Sequence, residues 1–303
     1  MSEKDDNAAL RSPPVHEEPL SESAPLARRI APDLCRRDPV SGEDCAWYHG
    51  FWQYLRMLDI VTAPREHGRF FSRTLEALAR EGGHGRVLVS GTADYSMYAQ
   101  ILHAYRKENT SCDVTVVDRC DTPLFLCRWY AERQGAHVRT AAFNFLDFDA
   151  AQTFDVICTH SFLGYFNPTE RRRLMAKWRH LLRPGGKVVT IHRIRPAGNG
   201  KLMGFTAEQA AAFRGRVSCQ AEKVKESLDV GPEELVEGAR IYTERFKIHP
   251  VRSREELVEL FEGGGFSVEH YHSASVERRM NARPSGPSAP GKAAYARIIL
   301  LRS

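Results

Sequence analysis

From residue 85 onward, short apolar runs rich in Val and Ile alternate with amphipathic segments long enough to be helices. No other feature of the chain constrains its fold as much. RVLVSG, DVTVVDR, HVRTAAFNF, TFDVICTH and KVVTIHRI have strand length and β-branched content. Between them lie YSMYAQILHAYRK, PLFLCRWYAERQG and PTERRRLMAKWRHLL. Parallel strands need crossovers of a dozen residues or more, and crossover helices cover both sheet faces. Near-continuous apolar strands joined by helices therefore predict a doubly wound α/β sheet. FSVEHYHSASV, a loop rich in Pro, Gly and Ser (ARPSGPSAPGK), and AYARIILL add two further strands near the end. No internal repeat interrupts the pattern.

The flanking segments read differently. Residues 1–32 are rich in Pro, Ser and acidic side chains with few large apolar ones, the composition of a disordered tail. Residues 33–84 form a helical cap. Its first part is the aromatic-rich AWYHGFWQYLRMLDI, and a second helix runs from Arg65 to Glu81, with Phe70, Phe71, Leu75 and Leu78 at helical spacing and Gly82 and Gly83 closing it. Residues 197–246 interrupt the strand–helix rhythm with a charged, helical insert before the sixth strand. The net charge of +5 is spread along the chain without a basic run interleaved with aromatics, so nucleic acid is not an expected partner. The seven Cys are an odd number without CxxC pairing. That predicts reduced thiols in a cytoplasmic protein, with neither a disulfide scaffold nor a structural metal site. The N-terminal segment has no signal-peptide core, and no apolar run approaches membrane-spanning length. The remaining partners are a small-molecule substrate and, compatibly, a second copy in a homodimer.

In an open α/β sheet, ligands bind beyond the carboxyl ends of the strands where the strand order reverses. The loop after the first strand, Ser90-Gly91-Thr92-Ala93-Asp94-Tyr95, is small enough for close backbone approach. By itself it is also an ordinary strand-to-helix turn. Asp118 ends the second strand, where a carboxylate can accept hydrogen bonds from both hydroxyls of a ribose, though an Asp there can equally cap the next helix.

Taken in order, these segments resemble the class I S-adenosylmethionine-dependent methyltransferases over residues 85–303. VLVSGTADY stands at the family's glycine-rich loop, VVD at its ribose acid, FNFLDF after its third strand, and TFDVICTHSFLGYF at its fourth strand. HLLRPGGKVV, a helix running through LLRPGG into a strand, is the most specific match. Val89, Ala93 and Tyr95 depart from the family's loop, replacing an acid and two glycines. The resemblance implies a mostly parallel seven-stranded sheet whose last strand is antiparallel, with the domain spanning residues 85–303 and residues 197–246 as a lid over the acceptor. It implies S-adenosyl-L-methionine as cofactor, held by Ser90, Gly91, Thr92, Ala93, Tyr95, Asp118, Arg119, Asn144, Phe145, Thr159 and His160.

Methyl transfer from a sulfonium requires alignment of acceptor and methyl, and a base only where the acceptor carries a proton. His160, His192 and Tyr48 are the catalytic candidates. Ser161, His49, Arg193 and Arg195 are candidates for holding the acceptor, the arginines through a bidentate grip on a carboxylate. Each has a plainer alternative: a loop histidine bonded to backbone, a surface ion pair, an aromatic pinning the cap. The expected function is methylation of a small, polar, carboxylate-bearing metabolite at nitrogen, oxygen or sulfur. The rival reading is a protein that binds the cofactor without transferring its methyl group.

Overall fold

The computed structural model describes residues 18–35, 37, 42–150, 153–196, 202–275, 287 and 294–303. The sheet comprises β1 (Arg86–Ser90), β2 (Asp113–Asp118), β3 (Arg139–Ala142), β4 (Phe154–His160), β5 (Leu182–Ile194), β6 (Phe266–Ser275) and β7 (Ala294–Arg302). The strand order is β3-β2-β1-β4-β5-β7-β6. β1 pairs in parallel with both β2 and β4, so the order reverses beside β1 and opens a crevice there. β7 inserts antiparallel between β5 and β6. The seven-stranded, mostly parallel sheet with its reversed last strand is the architecture expected.

Side chains alternate across the strands into two apolar layers. Val87, Val89, Val116, Cys158 and Ile191 face α3 (Gly68–Glu81), α4 (Ser96–Lys107) and α5 (Asp121–Arg133), where Phe71, Leu75, Ile101 and Tyr130 meet them. Leu88, Val117, Ile157 and Val188 face α6 (Pro168–Leu181) and α9 (Arg254–Gly263) through Leu174, Trp178, Leu257 and Phe261. Asn167 begins α6 by accepting from the backbone N–H groups of Thr169 and Glu170, while the Glu170 side chain reaches back to the Asn167 N–H.

A third apolar layer joins the cap to the insert. α2 (Ala46–Met57) presents Phe51, Tyr54 and Leu55 to α7 (Ala207–Val224) and α8 (Pro232–Arg245), which contribute Phe213, Val217, Leu235 and Tyr242. Gly238 lets α8 press against α2, because a Cβ there would stand 2.9 Å from the Phe51 ring. The insert is helical as expected, and it packs directly on the cap.

Three expectations need correction. The tail predicted to be disordered contains α1 (Leu20–Leu34), whose Ala24, Ala27 and Ala31 are fully buried. Its composition misled because the buried face is alanine and serine: small residues bring α1 close to α2, and Ala31 Cβ would lie 3.5 Å from a Cβ at Gly50. Order thus begins ahead of residue 33, and residues 1–17 lie outside the described residues. The third strand is shorter than HVRTAAFNF, running only from Arg139 to Ala142. The helix expected from Arg65 starts as a 3-10 turn, Pro64–His67, before α3. Residues 197–201 of the insert and most of the ARPSGPSAPGK loop lie outside the described residues. Among the described residues no helix is long and apolar enough to cross a membrane.

Candidate active site

A cavity of about 520 Å³ opens beyond the carboxyl ends of β1, β2, β4 and β5 and is roofed by α2 and the end of α8. Its floor near β1 is the loop Gly91-Thr92-Ala93. Gly91 has φ +70°, and a Cβ on it would stand 2.1 Å from the Phe162 ring, so no larger residue fits. The Gly91 N–H donates to Val117 O at 2.9 Å, which ties this loop to the end of β2.

Asp118 lies at that end. One carboxylate oxygen accepts from the Thr92 N–H at 3.0 Å and the other from the Cys120 N–H at 2.9 Å. Burial pushes its pKa up to about 6, opposed by the His49 imidazole and these two N–H groups. Arg119, Asn144, Phe145 and Leu146 continue the wall. Phe145 is buried with its ring edge-on to Phe162, and the pair gives a flat ligand ring an apolar flank.

The other end is aromatic and cationic. Tyr48 stacks near Trp52 at 5.3 Å between centroids and near Tyr242 at 6.1 Å, and its hydroxyl lies 3.3 Å from that of Tyr165. Phe246 extends the stack from the end of α8. Burial holds the Tyr48 hydroxyl protonated, well above the usual phenol range. Arg193, Arg195, Arg245 and Lys247 line the same end. The Arg195 guanidinium donates to the carbonyls of Pro287 (2.9 Å) and Arg193 (3.4 Å). Burial and the neighbouring Arg193 charge pull its pKa down to about 9. Arg193 lies with its guanidinium 5.9 Å from the centroid of the Tyr295 ring.

His160 and Ser161 stand between the two ends. Ser161 adopts φ +55°, rare for a residue with a side chain, and its N–H donates to Ile191 O at 2.7 Å. The His160 ring lies 5.4 Å from that of His67. Burial, reinforced by the Arg56 charge, pulls the His160 pKa down to about 3, so its imidazole is neutral and weakly basic.

Four residues expected at the site lie elsewhere. Ser90 is fully buried, and its hydroxyl accepts from Trp178 Nε1 at 3.1 Å. Thr159 donates its hydroxyl to the Ser90 carbonyl at 2.8 Å. Tyr95 turns away from the cavity to stack on Tyr130 at 4.6 Å, and its hydroxyl meets Ser23 of α1 at 3.0 Å, so it does not narrow the pocket. His192 projects from the opposite face of β5 to Arg193, where burial keeps it neutral. One residue along a strand changes the face, which separates His192 from Arg193 and Thr159 from His160. His49 does line the cavity, and its Nδ1 also lies 3.5 Å from Cys35 Sγ.

Sequence reasoning missed the joint that locks the loop to the cap. Asp94 accepts from Arg56 Nη1 at 2.7 Å, from Trp52 Nε1 at 3.1 Å and from the Ser96 N–H at 2.8 Å. Arg56 also pairs with Glu18, and these charged side chains are buried. Arg245, Phe246 and Tyr242 were missed as well, because they sit on an ordinary-looking charged helix that only the packing of the insert brings to the cavity.

Comparison with known proteins adds an independent observation. Residues 91–186 match the family model described as a methyltransferase domain. No curated protein sequence matches the chain. Among solved structures, the 1,6-didemethyltoxoflavin-N1-methyltransferase of Burkholderia thailandensis, with 1,6-didemethyltoxoflavin and S-adenosylhomocysteine bound, is 16% identical over 96% of this chain and 92% of its own, with a TM-score of 0.51. A SAM-dependent methyltransferase from Methanosarcina mazei is 18% identical over 72% of this chain and 92% of its own, with a TM-score of 0.44. A geranyl diphosphate methyltransferase in complex with SAM is 15% identical over 88% and 93%, with a TM-score of 0.47.

Proposed function

We propose that this chain, a class I S-adenosylmethionine-dependent methyltransferase, methylates a small acceptor whose carboxylate is held by Arg195. The cofactor, S-adenosyl-L-methionine, supplies an electrophilic methyl group on a sulfonium. The residues at the β1–β2 end fit it. Asp118 offers two carboxylate oxygens for a ribose diol, Gly91 to Ala93 give close backbone approach, and Phe145 with Leu146 flank an adenine ring beside Asn144.

One observation carries the acceptor class. Arg195 lies in the cavity wall, its hydrogen bonds go to carbonyl oxygens, and among the described residues no carboxylate stands within ion-pair distance of it. A half-buried guanidinium in a cavity wall, bonded among the described residues to neutral groups, gains most from an anionic ligand. Tyr48, Tyr242 and Phe246 offer a flat apolar face beside it, suited to a planar or compact body behind the carboxylate. With His160 weakly basic and Tyr48 protonated, the acceptor atom is best read as one with a lone pair free at neutral pH, whether nitrogen, oxygen or sulfur. His160 and Ser161 then orient the acceptor rather than deprotonate it.

The test is turnover of S-adenosylmethionine with a panel of small aromatic and amino-acid carboxylates, each beside its neutral amide, read as S-adenosylhomocysteine release. Activity confined to the free carboxylates is the expected result. Equal turnover of the amides overturns the carboxylate grip. Absence of any thermal shift with either S-adenosylmethionine or S-adenosylhomocysteine overturns cofactor binding itself.

A further inference from the structure

Four side chains with metal-ligating atoms converge where the cap meets the end of β2. Cys35 follows α1, Cys45 precedes α2, His49 lies on the first turn of α2, and Cys120 precedes α5. Their donor atoms all lie within 4.8 Å of one another, with Cys35, His49 and Cys120 buried and Cys45 half-buried. Cys120 Sγ is 3.5 Å from Cys35 Sγ, which in turn is 3.5 Å from His49 Nδ1.

These distances discriminate between two chemistries. A disulfide requires sulfurs about 2.05 Å apart. Thiolates each about 2.3 Å from one tetrahedral ion stand roughly 3.8 Å from each other, close to the observed spacing. The donor set of three sulfurs and one imidazole suits zinc-class ions and excludes magnesium and calcium, which take oxygen ligands. The surroundings suit thiolates too. The Thr122 hydroxyl lies 3.1 Å from Cys35 Sγ, and Cys45 and Cys120 each sit at a helix N-terminus, where free N–H groups favour negative charge.

We propose that Cys35, Cys45, His49 and Cys120 form a site for one tetrahedral zinc-class divalent ion. Four protein ligands fill the coordination sphere, so the ion is structural and offers no open position to substrate. It joins the ends of three elements, the C-terminus of α1 and the N-termini of α2 and α5, next to the small-residue contact that already packs α1 on α2. Cys120 lies two residues beyond Asp118, and Cys45 and His49 line the cavity. The ion therefore fixes the cap over the ribose end of the cofactor pocket.

The test begins with metal analysis of the full-length, untagged protein, for which about one zinc per chain is expected. Exchange with cobalt(II) should give the thiolate charge-transfer and d–d absorption of a tetrahedral site. Cys120→Ser should lose the ion, and His49→Cys, which keeps four ligands, should retain it. If Cys120→Ser fails to fold, the wild-type protein still decides. Titrating its thiols with a mercurial should release zinc to a colorimetric chelator as Cys35, Cys45 and Cys120 react. Reduced protein that contains no zinc and gains no cobalt absorption overturns the site. So does protein isolated without metal and with a Cys35–Cys120 disulfide by mass spectrometry.

Discussion

The two ends of the cavity are built in different ways. The end bounded by Gly91, Asp118 and Asn144 consists of loops that each follow directly from a sheet strand, so register alone brings them together. The end bounded by Tyr48, Arg195, Tyr242 and Phe246 is assembled from a helix ahead of the sheet, the tip of β5 and an insert beyond it. The first end inherits its geometry from hydrogen-bonded strands. The second depends on how three helices pack, and its residues can change without disturbing the sheet. One fold can thus keep its cofactor while its acceptor changes.

The sharpest way to break this division is at the joint between the two ends. Arg56 of the cap neutralises both Glu18 and Asp94 in a buried setting. Arg56→Ala removes the one guanidinium that the two buried carboxylates share, leaving Asp94 to the Trp52 and Ser96 N–H groups and Glu18 to the more distant Arg65, which costs about 3–5 kcal/mol of stability. Thermal unfolding should shift down by about 10 °C or more. Deleting residues 1–19, which removes Glu18, should also lower the midpoint, whereas a tail with no structural role predicts none. A midpoint unchanged in both variants would show that the cap is held by its apolar contacts alone.

At the cofactor end the expected effect is somewhat smaller. On the proposed placement of the cofactor, Asp118→Ala removes two charge-assisted hydrogen bonds to the ribose, so S-adenosylhomocysteine affinity should weaken by about 2–4 kcal/mol in calorimetry. Unchanged affinity in the folded variant would move the ribose away from Asp118.

The same division explains what could be read from sequence. Strand identity, the strand-end Asp118 and the LLRPGG turn are local signals from which the parallel part of the sheet follows, whereas the reversed last strand is implied only by the family resemblance that these segments carry. Tyr95 and Ser90 occupy the right segment, yet their side chains point into α5 and α6, an orientation that spacing along a turn does not fix. The alanine face of α1 lacks the large apolar residues that advertise a buried helix, and Glu18 reads as one more tail acid until its partner Arg56 is seen. The cluster of Cys35, Cys45, His49 and Cys120 has no CxxC spacing, because its ligands come from three helix ends joined only in the folded state.

At the acceptor end, Arg195→Met should lower kcat/KM for a carboxylate acceptor by roughly 10- to 100-fold, the value of a hydrogen-bonded ion pair. S-adenosylhomocysteine affinity should stay within about twofold of wild type. Equal loss at both readouts would mean that the two ends are not separable and that Arg195 acts through the shared wall.

The smallest expected effect on turnover is at His160, where the ends meet. Its sequence position suggests a base, with a rate rising through a pKa of about 6–7. In the folded cavity the imidazole is pulled down to about 3, first by burial and then by Arg56 on α2, and the His67 ring beside it is depressed chiefly by burial, with the His160 and Arg297 charges adding to it. Its folded pKa lies below its unfolded value of about 6.5, so between pH 3 and 6.5 the unfolded chain binds more protons at this position. Stability therefore rises with pH across that window and is lost on acidification. For this one side chain the loss is about 2 kcal/mol at pH 5. His160→Asn should reduce the difference between melts at pH 5 and pH 8, and the contribution of His67 should remain. The pH dependence of kcat/KM above pH 6 should be the same in wild type and His160→Gln, because a group already neutral has no proton to lose there. A wild-type profile that climbs through pH 6–7 and flattens in His160→Gln would restore this imidazole as the base and identify an acceptor that arrives protonated.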